Sequence, residues 1–217
     1  MKVDRIDNNW DVIIIGGGIT GAGVLSEAVR MGLRALLVEK HDFAWGTSSR
    51  SSKLVHGGLR YLKEGRLHLT YESVYHRQRL LAEAPGLVEP IGFLMPVYKD
   101  SGPSRWTLEA GLSLYDLMAG KRYHHYYPAD AFAEMVPRLK TDNLAGGFRF
   151  MDAQVDDARL VLRLINESLE KGGAALNYTE VTGICRDTGG TVTGVTVRDA
   201  ENGSEQTLAS AAVINAT

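Results

Sequence analysis

Thr47, Ser48, Ser49, Ser51 and Ser52 crowd into one short stretch, and Lys53, His56, Gly57, Gly58, Arg60 and Tyr61 follow closely. Hydroxyls donate and accept hydrogen bonds, glycines bare the backbone, and a guanidinium can hold a phosphate through two parallel bonds. The whole stretch, GTSSRSSKLVHGGLRYLKEG over residues 46–65, has neither the period of a helix nor the alternation of a strand. Leu54, Val55, Leu59 and Tyr61 are interleaved with its polar residues, which a plain solvated linker would not need.

The elements that must position these groups begin upstream. DVIIIGGGITGAGVLSEAVRMGLRALLVEK, residues 11–40, opens with an apolar run from Val12 to Ile15 that reads as a buried parallel strand. Gly16, Gly18 and Gly21 complete GxGxxG, an amphipathic helix runs to a C-terminal cap at Gly32, and Ala35 to Val38 form a second strand that ends at Glu39. Gly16 permits the tight turn, Gly18 lets the backbone approach a pyrophosphate, and Gly21 lets helix and strand pack closely. The helix N-terminus offers free N–H groups to phosphates, so no cationic side chain is needed there. Glu39 is placed to accept hydrogen bonds from an adenosine ribose. Its charge would repel a 2′-phosphate, so NADP is disfavoured against NAD or FAD.

Composition narrows the class. With 217 residues, 44% hydrophobic and 23% charged, the chain has a globular composition and the length to bury a real core. Its 24 Lys and Arg against 26 Asp and Glu leave a formal net charge of -2, so no global field argues for nucleic acid, and any anion preference must be local. The single cysteine, Cys185, cannot form an internal disulfide, and no Cys/His cluster has zinc-like spacing, so a reducing compartment and no structural metal are expected. MKVDRIDNNW lacks the apolar core of a signal peptide, and no apolar run approaches the roughly 20 residues of a bilayer span. The expectation is a cytoplasmic protein without transmembrane segments.

After Glu39 the alternation of helices and strands breaks off. Beyond the serine-rich stretch, LTYESVYHRQRLLAEA reads as a helix stopped by Pro85, IGFLMPVY alternates, and RWTLEAGLSLYDLMAG is a further helix. The pattern predicts an insertion between two parts of one sheet: residues 1–80 and 151–217 form the two segments of a dinucleotide-binding domain, and residues 81–150 the insert. In VDDARLVLRLINESLEKGG, Asp156 is the N-cap and Gly172 ends the helix. AALNYTEVTGICRD and TVTGVTVRDA alternate like strands of an antiparallel meander, and AAVINAT is an apolar strand. Because the chain stops at the end of what should be a central strand, a fragment of a longer protein is expected.

IIGGGITGAG, TSSRSSKLVHGGLRYL, VDDARLVL and VINAT together resemble the FAD-dependent glycerol-3-phosphate dehydrogenases, a group within the D-amino-acid-oxidase-like flavoproteins. The first and last of these motifs are shared by many flavoproteins, the second by few. The resemblance covers nearly the whole chain and implies an α/β fold: a Rossmann-like FAD-binding domain of the glutathione-reductase/D-amino-acid-oxidase type, carrying an inserted part of a mixed α+β substrate domain, in a truncated chain. It implies FAD as cofactor, with Gly16, Gly18, Gly21, Glu39, Thr47, Ser48, Ser52, Lys53, Leu54 and Val181 at the matching positions. Gly57 and Gly58 would then let the chain pass close to the flat isoalloxazine ring. Arg60 and Tyr61 match the pair that faces the substrate phosphate.

The activity so implied is oxidation of sn-glycerol 3-phosphate to dihydroxyacetone phosphate, with electrons passed through FAD to a quinone or to oxygen. Peripheral contact with the cytoplasmic membrane and, at full length, a homodimer are further implications. Catalytic residues are expected beyond Thr217, which would leave residues 1–217 inactive alone. Two alternatives stand beside this reading: a related FAD oxidoreductase acting on another 2-hydroxy acid or an amine, and an inactive chain that keeps only the FAD-binding fold.

Other residues have plainer readings beside the functional one. His56 is a candidate for catalysis, against packing beside the flavin or a structural hydrogen bond. His124 and His125 in RYHHYYPAD suggest a metal site, but neighbouring residues point apart in a strand or helix, and no metal is expected. Asp156 and Asp157 resemble paired carboxylates, yet a helix N-cap explains them more simply. In RWTLEAGLSLYDLMAGKR, the residues Trp106, Leu108, Leu112 and Tyr115, with Arg105, Lys121 and Arg122 at the ends, form an amphipathic membrane candidate; the simpler reading packs that face into the substrate domain.

Overall fold

The computed structural model describes residues 6–217. In chain order its strands are β1 (Asn9–Ile15), β2 (Ala35–Val38), β3 (Leu54–Val55), β4 (Val88–Tyr98), β5 (His125–Pro128), β6 (Leu144–Val155), β7 (Ala174–Leu176), β8 (Thr179–Arg186), β9 (Val192–Asp199) and β10 (Glu205–Asn215). The helices are α1 (Ile19–Arg30), α2 (Leu59–Lys63), α3 (Leu67–Glu83), α4 (Arg105–Ala119), α5 (Ala129–Met135) and α6 (Asp157–Glu170), with a 3-10 turn at Thr47–Ser49. The chain divides into two compact units, one formed by the chain up to Ser52 together with Asp156–Thr217, the other by Lys53–Val155.

The first unit is built on one sheet of order β7-β2-β1-β10-β9-β8. β7, β2, β1 and β10 run parallel, while β10, β9 and β8 form an antiparallel meander. The continuous apolar run of β1 is explained by burial on both faces. Val12 and Ile14 enter a core with Ala22, Leu25 and Ala28 of α1 and with Val161 and Ile165 of α6. Ile13 joins Leu36, Val38 and the meander residues Val195, Val197 and Leu208 on the other face. The expected meander is corrected at its start: Ala174–Leu176 separates as β7, parallel to β2. Tyr178 makes the break, standing at φ +49 with its N–H donating to the His41 carbonyl. AAVINAT belongs to the longer strand β10, whose first half pairs with β9 and whose second half pairs with β1.

In the second unit β6 is the central strand, flanked by β4 on one side and by β3 and β5 on the other. Pro90 and Pro96 sit in β4, an edge strand, where a missing N–H costs least. Residues 53–80, grouped by sequence with the first domain segment, pack in this unit: β3 pairs with β6, and the Val155 N–H donates to the Lys53 carbonyl. By packing, the boundaries therefore fall after Ser52 and Val155. The serine-rich stretch itself contains a 3-10 turn, β3 and α2, regular pieces too short to leave a period in the sequence. Leu112 and Tyr115 of α4 are buried, and Leu108 packs against the Val97, Phe148 and Phe150 cluster, so the amphipathic face points into the unit; Trp106, 72% exposed, is the exception. Among the described residues no helix is long and apolar enough to cross a membrane.

Candidate cofactor site

Where β1 and β2 end, a cleft of about 710 Å³ opens, lined by Gly16, Gly18, Glu39, Thr47, Ser48 and Val181 together with apolar Ile15, Ile19 and Val38. The glycines shape it. Gly16 stands at φ +110, and a Cβ there would come within 2.9 Å of the Ala216 carbonyl oxygen. A Cβ on Gly18 would project to 3.0 Å from Ser48 Oγ. A Cβ on Gly21 would overlap the Gly16 carbonyl oxygen, so Gly21 lies behind the cleft and serves the contact between α1 and the turn.

Glu39 is fixed by backbone. Its Oε2 accepts from the Gly17 N–H at 2.7 Å and its Oε1 from the His41 N–H at 2.9 Å, which leaves lone pairs on both oxygens. Ser48 Oγ accepts from the Ile19 N–H at 2.9 Å, tying the serine-rich stretch to the first turn of α1. Thr20, at the first turn of α1, lines the cleft and has no acceptor for its amide within the helix, so the positive end of the helix dipole meets the cleft there.

Six predicted cofactor residues thus share one cleft. Ser52, Lys53 and Leu54 do not line it. Ser52 is exposed at the boundary of the first unit, Lys53 turns the chain at φ +59, and Leu54 is spent on pairing β3 with Gln154 of β6. Lining residues that sequence reasoning missed are Lys40, His41 and Trp45. Trp45 carries the Arg50 guanidinium over its ring at 4.5 Å from the centroid, and the run KHDFAW directly after Glu39 was the available signal.

The two aspartates at the start of α6 have different tasks. Asp156 is the N-cap, its side chain accepting from the Arg159 N–H. Asp157 is buried; its Oδ2 accepts from Ser51 Oγ at 2.6 Å and its Oδ1 from the Ala158 N–H at 2.8 Å. An N-cap accounts for the first and not the second, which anchors the serine-rich stretch.

In the second unit, Arg60 and Tyr61 open α2, and Gly58 caps it in the left-handed region at φ +77. Among the described residues the Arg60 side chain pairs with Glu64, at 3.2 Å, and is 87% exposed. Gly57 has an internal reason to lack a side chain: a Cβ would overlap Tyr115 Oη and come 2.6 Å from Arg77 Nη1. His56 Nδ1 lies 3.5 Å from Asp152 Oδ2. His124 is buried between Asp116, 2.6 Å from its Nδ1, and Glu109, 3.2 Å from its Nε2, while His125 is exposed in β5. Among the described residues no cluster could hold a metal ion.

This arrangement, a parallel sheet with a glycine turn, a helix N-terminus and an acid around one cleft, defines a dinucleotide-binding protein. Residues 11–217 match the FAD dependent oxidoreductase family, and the chain belongs to that family. It is 36% identical over 220 residues to the aerobic glycerol-3-phosphate dehydrogenase of Staphylococcus saprophyticus, covering all of this chain and 40% of the relative. It is 40% identical over 217 residues to glycerol-3-phosphate dehydrogenase 2 of Mycobacterium bovis, covering 96% of this chain and 36% of that one. The chain therefore spans about two fifths of the length of these relatives. Among solved structures, the glycerol-3-phosphate dehydrogenase of Bacillus halodurans complexed with FAD superposes with a TM-score of 0.73 at 30% identity, over 99% of this chain and 35% of that one. The L-alpha-glycerophosphate oxidase of Mycoplasma pneumoniae, at 18% identity and a TM-score of 0.66, shares the fold.

FAD is that family's cofactor, and the cleft's chemistry fits it. The bare backbone at Gly16 and Gly18 and the orphan amides of α1 suit a pyrophosphate, the carboxylate of Glu39 suits a ribose diol, and Ile15, Val38 and Val181 offer apolar walls.

Proposed function

We propose that the protein oxidises sn-glycerol 3-phosphate to dihydroxyacetone phosphate, with FAD as its redox cofactor. The observation that carries the reading is the identity of 36–40% to glycerol-3-phosphate dehydrogenases over almost the entire chain, in a fold whose cleft fits FAD. Bound FAD supplies a two-electron acceptor at the substrate carbinol. The chain's own residues then have three tasks. Gly16, Gly18, Glu39 and Ser48 hold the dinucleotide. Arg60, exposed and paired among the described residues with Glu64, supplies a guanidinium for the substrate phosphate, and Tyr61 beside it a hydroxyl. Ser51 and Asp157 keep the serine-rich stretch in register with α6.

In this reading the electrons leave to a quinone or to oxygen. A quinone would be reached by peripheral contact with the cytoplasmic membrane. The buried face of α4 is not available for that contact, so it falls to residues other than Leu108, Leu112 and Tyr115. A homodimer belongs to the same proposal for the full-length gene product.

The test is steady-state oxidation by the full-length gene product, with dihydroxyacetone phosphate measured directly. The reading expects turnover of sn-glycerol 3-phosphate and none of 2-hydroxy acids or amines. Turnover of the latter in preference would overturn it, and comparison of a quinone analogue with dioxygen decides the acceptor.

A further inference from the structure

The second unit contains a buried polar group that the cofactor cleft does not use. Arg77 of α3 is 2% exposed, and its Nη1 donates to Tyr115 Oη at 2.5 Å and to Asp152 Oδ1 at 3.1 Å. Asp152, in β6, is itself only 7% exposed; its Oδ1 also accepts from the Gly57 N–H at 3.1 Å and from the Ala153 N–H at 3.1 Å. A buried guanidinium and carboxylate are costly to desolvate, and each is expensive to leave without the other. An interior that needed only filling would be served by apolar side chains. Here three elements converge on one carboxylate: α3 through Arg77, α4 through Tyr115 by way of Arg77, and the turn before α2 through Gly57.

What the arrangement holds in place is His56. Oδ1 of Asp152 is fully engaged by Arg77, Gly57 and Ala153, and Oδ2 is the oxygen that faces His56 Nδ1, at 3.5 Å. The imidazole is 62% exposed, so its other nitrogen is open to solvent and ligands. A carboxylate accepts and never donates when ionised, and a neutral imidazole carries its proton on the nitrogen that meets an acceptor. Arg77 Nη1 stands 3.1 Å from Asp152 Oδ1, a charge-assisted pair on that oxygen that leaves Oδ2 to face His56. Gly57 is part of the same device: any side chain there would strike Tyr115 Oη and Arg77 Nη1, pushing the His56–Gly57 turn away from Asp152.

We propose that Asp152 is the positioning residue of His56: it holds the imidazole as the Nδ1–H tautomer and leaves Nε2 as an unprotonated, exposed ring nitrogen able to accept a proton. The inference rests on the proposed function only for the identity of that proton, which would be the carbinol O–H proton of the substrate; the tautomer is a property of this chain's own residues. Arg77 and Tyr115 act through Asp152.

The experiment is nitrogen NMR of full-length, FAD-loaded protein labelled in histidine, with the His56 signals assigned by comparison with His56→Gln. The expected result is a His56 spectrum dominated by the Nδ1–H tautomer once the ring is neutral, and loss of that dominance in Asp152→Asn. Wild-type His56 found mainly as the Nε2–H tautomer would overturn the proposal, whatever the variants do. If Asp152→Asn folds poorly, Arg77→Lys, which keeps a cation beside Asp152, is expected to retain the Nδ1–H form; a His56 spectrum in which neither tautomer dominates, in the wild type or in this variant, would contradict the proposal. In turnover, Asp152→Asn is expected to lower kcat at least tenfold with KM changed less than threefold, a split that a merely structural role would not give. A wild-type Nδ1–H tautomer in a protein that fails to oxidise glycerol 3-phosphate would sink the proposed function and leave the positioning role standing.

Discussion

Ser51 Oγ donates to Asp157 Oδ2 across 2.6 Å, joining the serine-rich stretch to the start of a helix 106 residues further along the chain. The bond locks a segment that lines the cofactor cleft to an element that packs on the central sheet. Removing it takes away one of the loop's ties without touching the cleft's own residues. Ser51→Ala is therefore expected to weaken FAD by roughly fivefold to tenfold, the value of about 1 kcal/mol for one such bond. Titration of the apoprotein with FAD checks it, and an unchanged affinity would remove Ser51 from the holding of the loop.

Gly18 and Gly21 should fail in different ways. A side chain at Gly18 projects toward Ser48 at the cleft, so Gly18→Leu is expected to fold and lose its flavin. A side chain at Gly21 meets the Gly16 carbonyl behind the cleft, so Gly21→Val is expected to lose stability, by about 1–3 kcal/mol or more, before any question of binding arises. Flavin content and urea midpoints measured together separate the two. Full flavin occupancy in Gly18→Leu would count against the cleft.

Both glycines were legible in the sequence, because GxGxxG between two apolar strands leaves few other arrangements. So were β1, β2, α1, α4 and α6, whose caps and periods are local. What was not legible depends on distant partners. β6 contains Gly146 and Gly147, which are places of close approach, since a Cβ on Gly147 would enter the Phe132 ring. Asp157 looked like half of a capping pair until Ser51 was brought to it. Gly57 was legible as a required glycine, but its reason, Tyr115 and Arg77, lies on two helices that no local pattern connects.

Arg60 is expected to matter for substrate and not for fold. Its side chain is 87% exposed and, among the described residues, pairs with Glu64, an i,i+4 contact worth about a few tenths of a kcal/mol. Arg60→Ala should leave the unfolding midpoint and flavin content unchanged. Use of glycerol 3-phosphate should fall by orders of magnitude, the cost of about 2–5 kcal/mol for losing a desolvated phosphate partner. Unchanged kcat/KM would take Arg60 out of the site.

Tyr115 gives a pH dependence. Burial pushes its phenol well above the usual range, partly offset by the neighbouring Arg77. The folded protein then holds the phenolic proton more tightly than the unfolded chain does. Its stabilising effect is complete below the ordinary tyrosine value of about 10 and is lost as pH rises above it. Urea midpoints for Tyr115→Phe should therefore decline less steeply at alkaline pH than those of the wild type. Parallel declines would show that the phenol does not titrate against folding.

The central claim is that FAD held in this cleft is reduced by sn-glycerol 3-phosphate. The most direct measurement is anaerobic mixing of the FAD-loaded full-length gene product with that substrate, following the visible absorption of the flavin. The absorption should bleach with sn-glycerol 3-phosphate and persist with sn-glycerol 1-phosphate, 2-hydroxy acids and amines. A flavin that stays oxidised with glycerol 3-phosphate, or that bleaches equally with a 2-hydroxy acid or an amine, would contradict it.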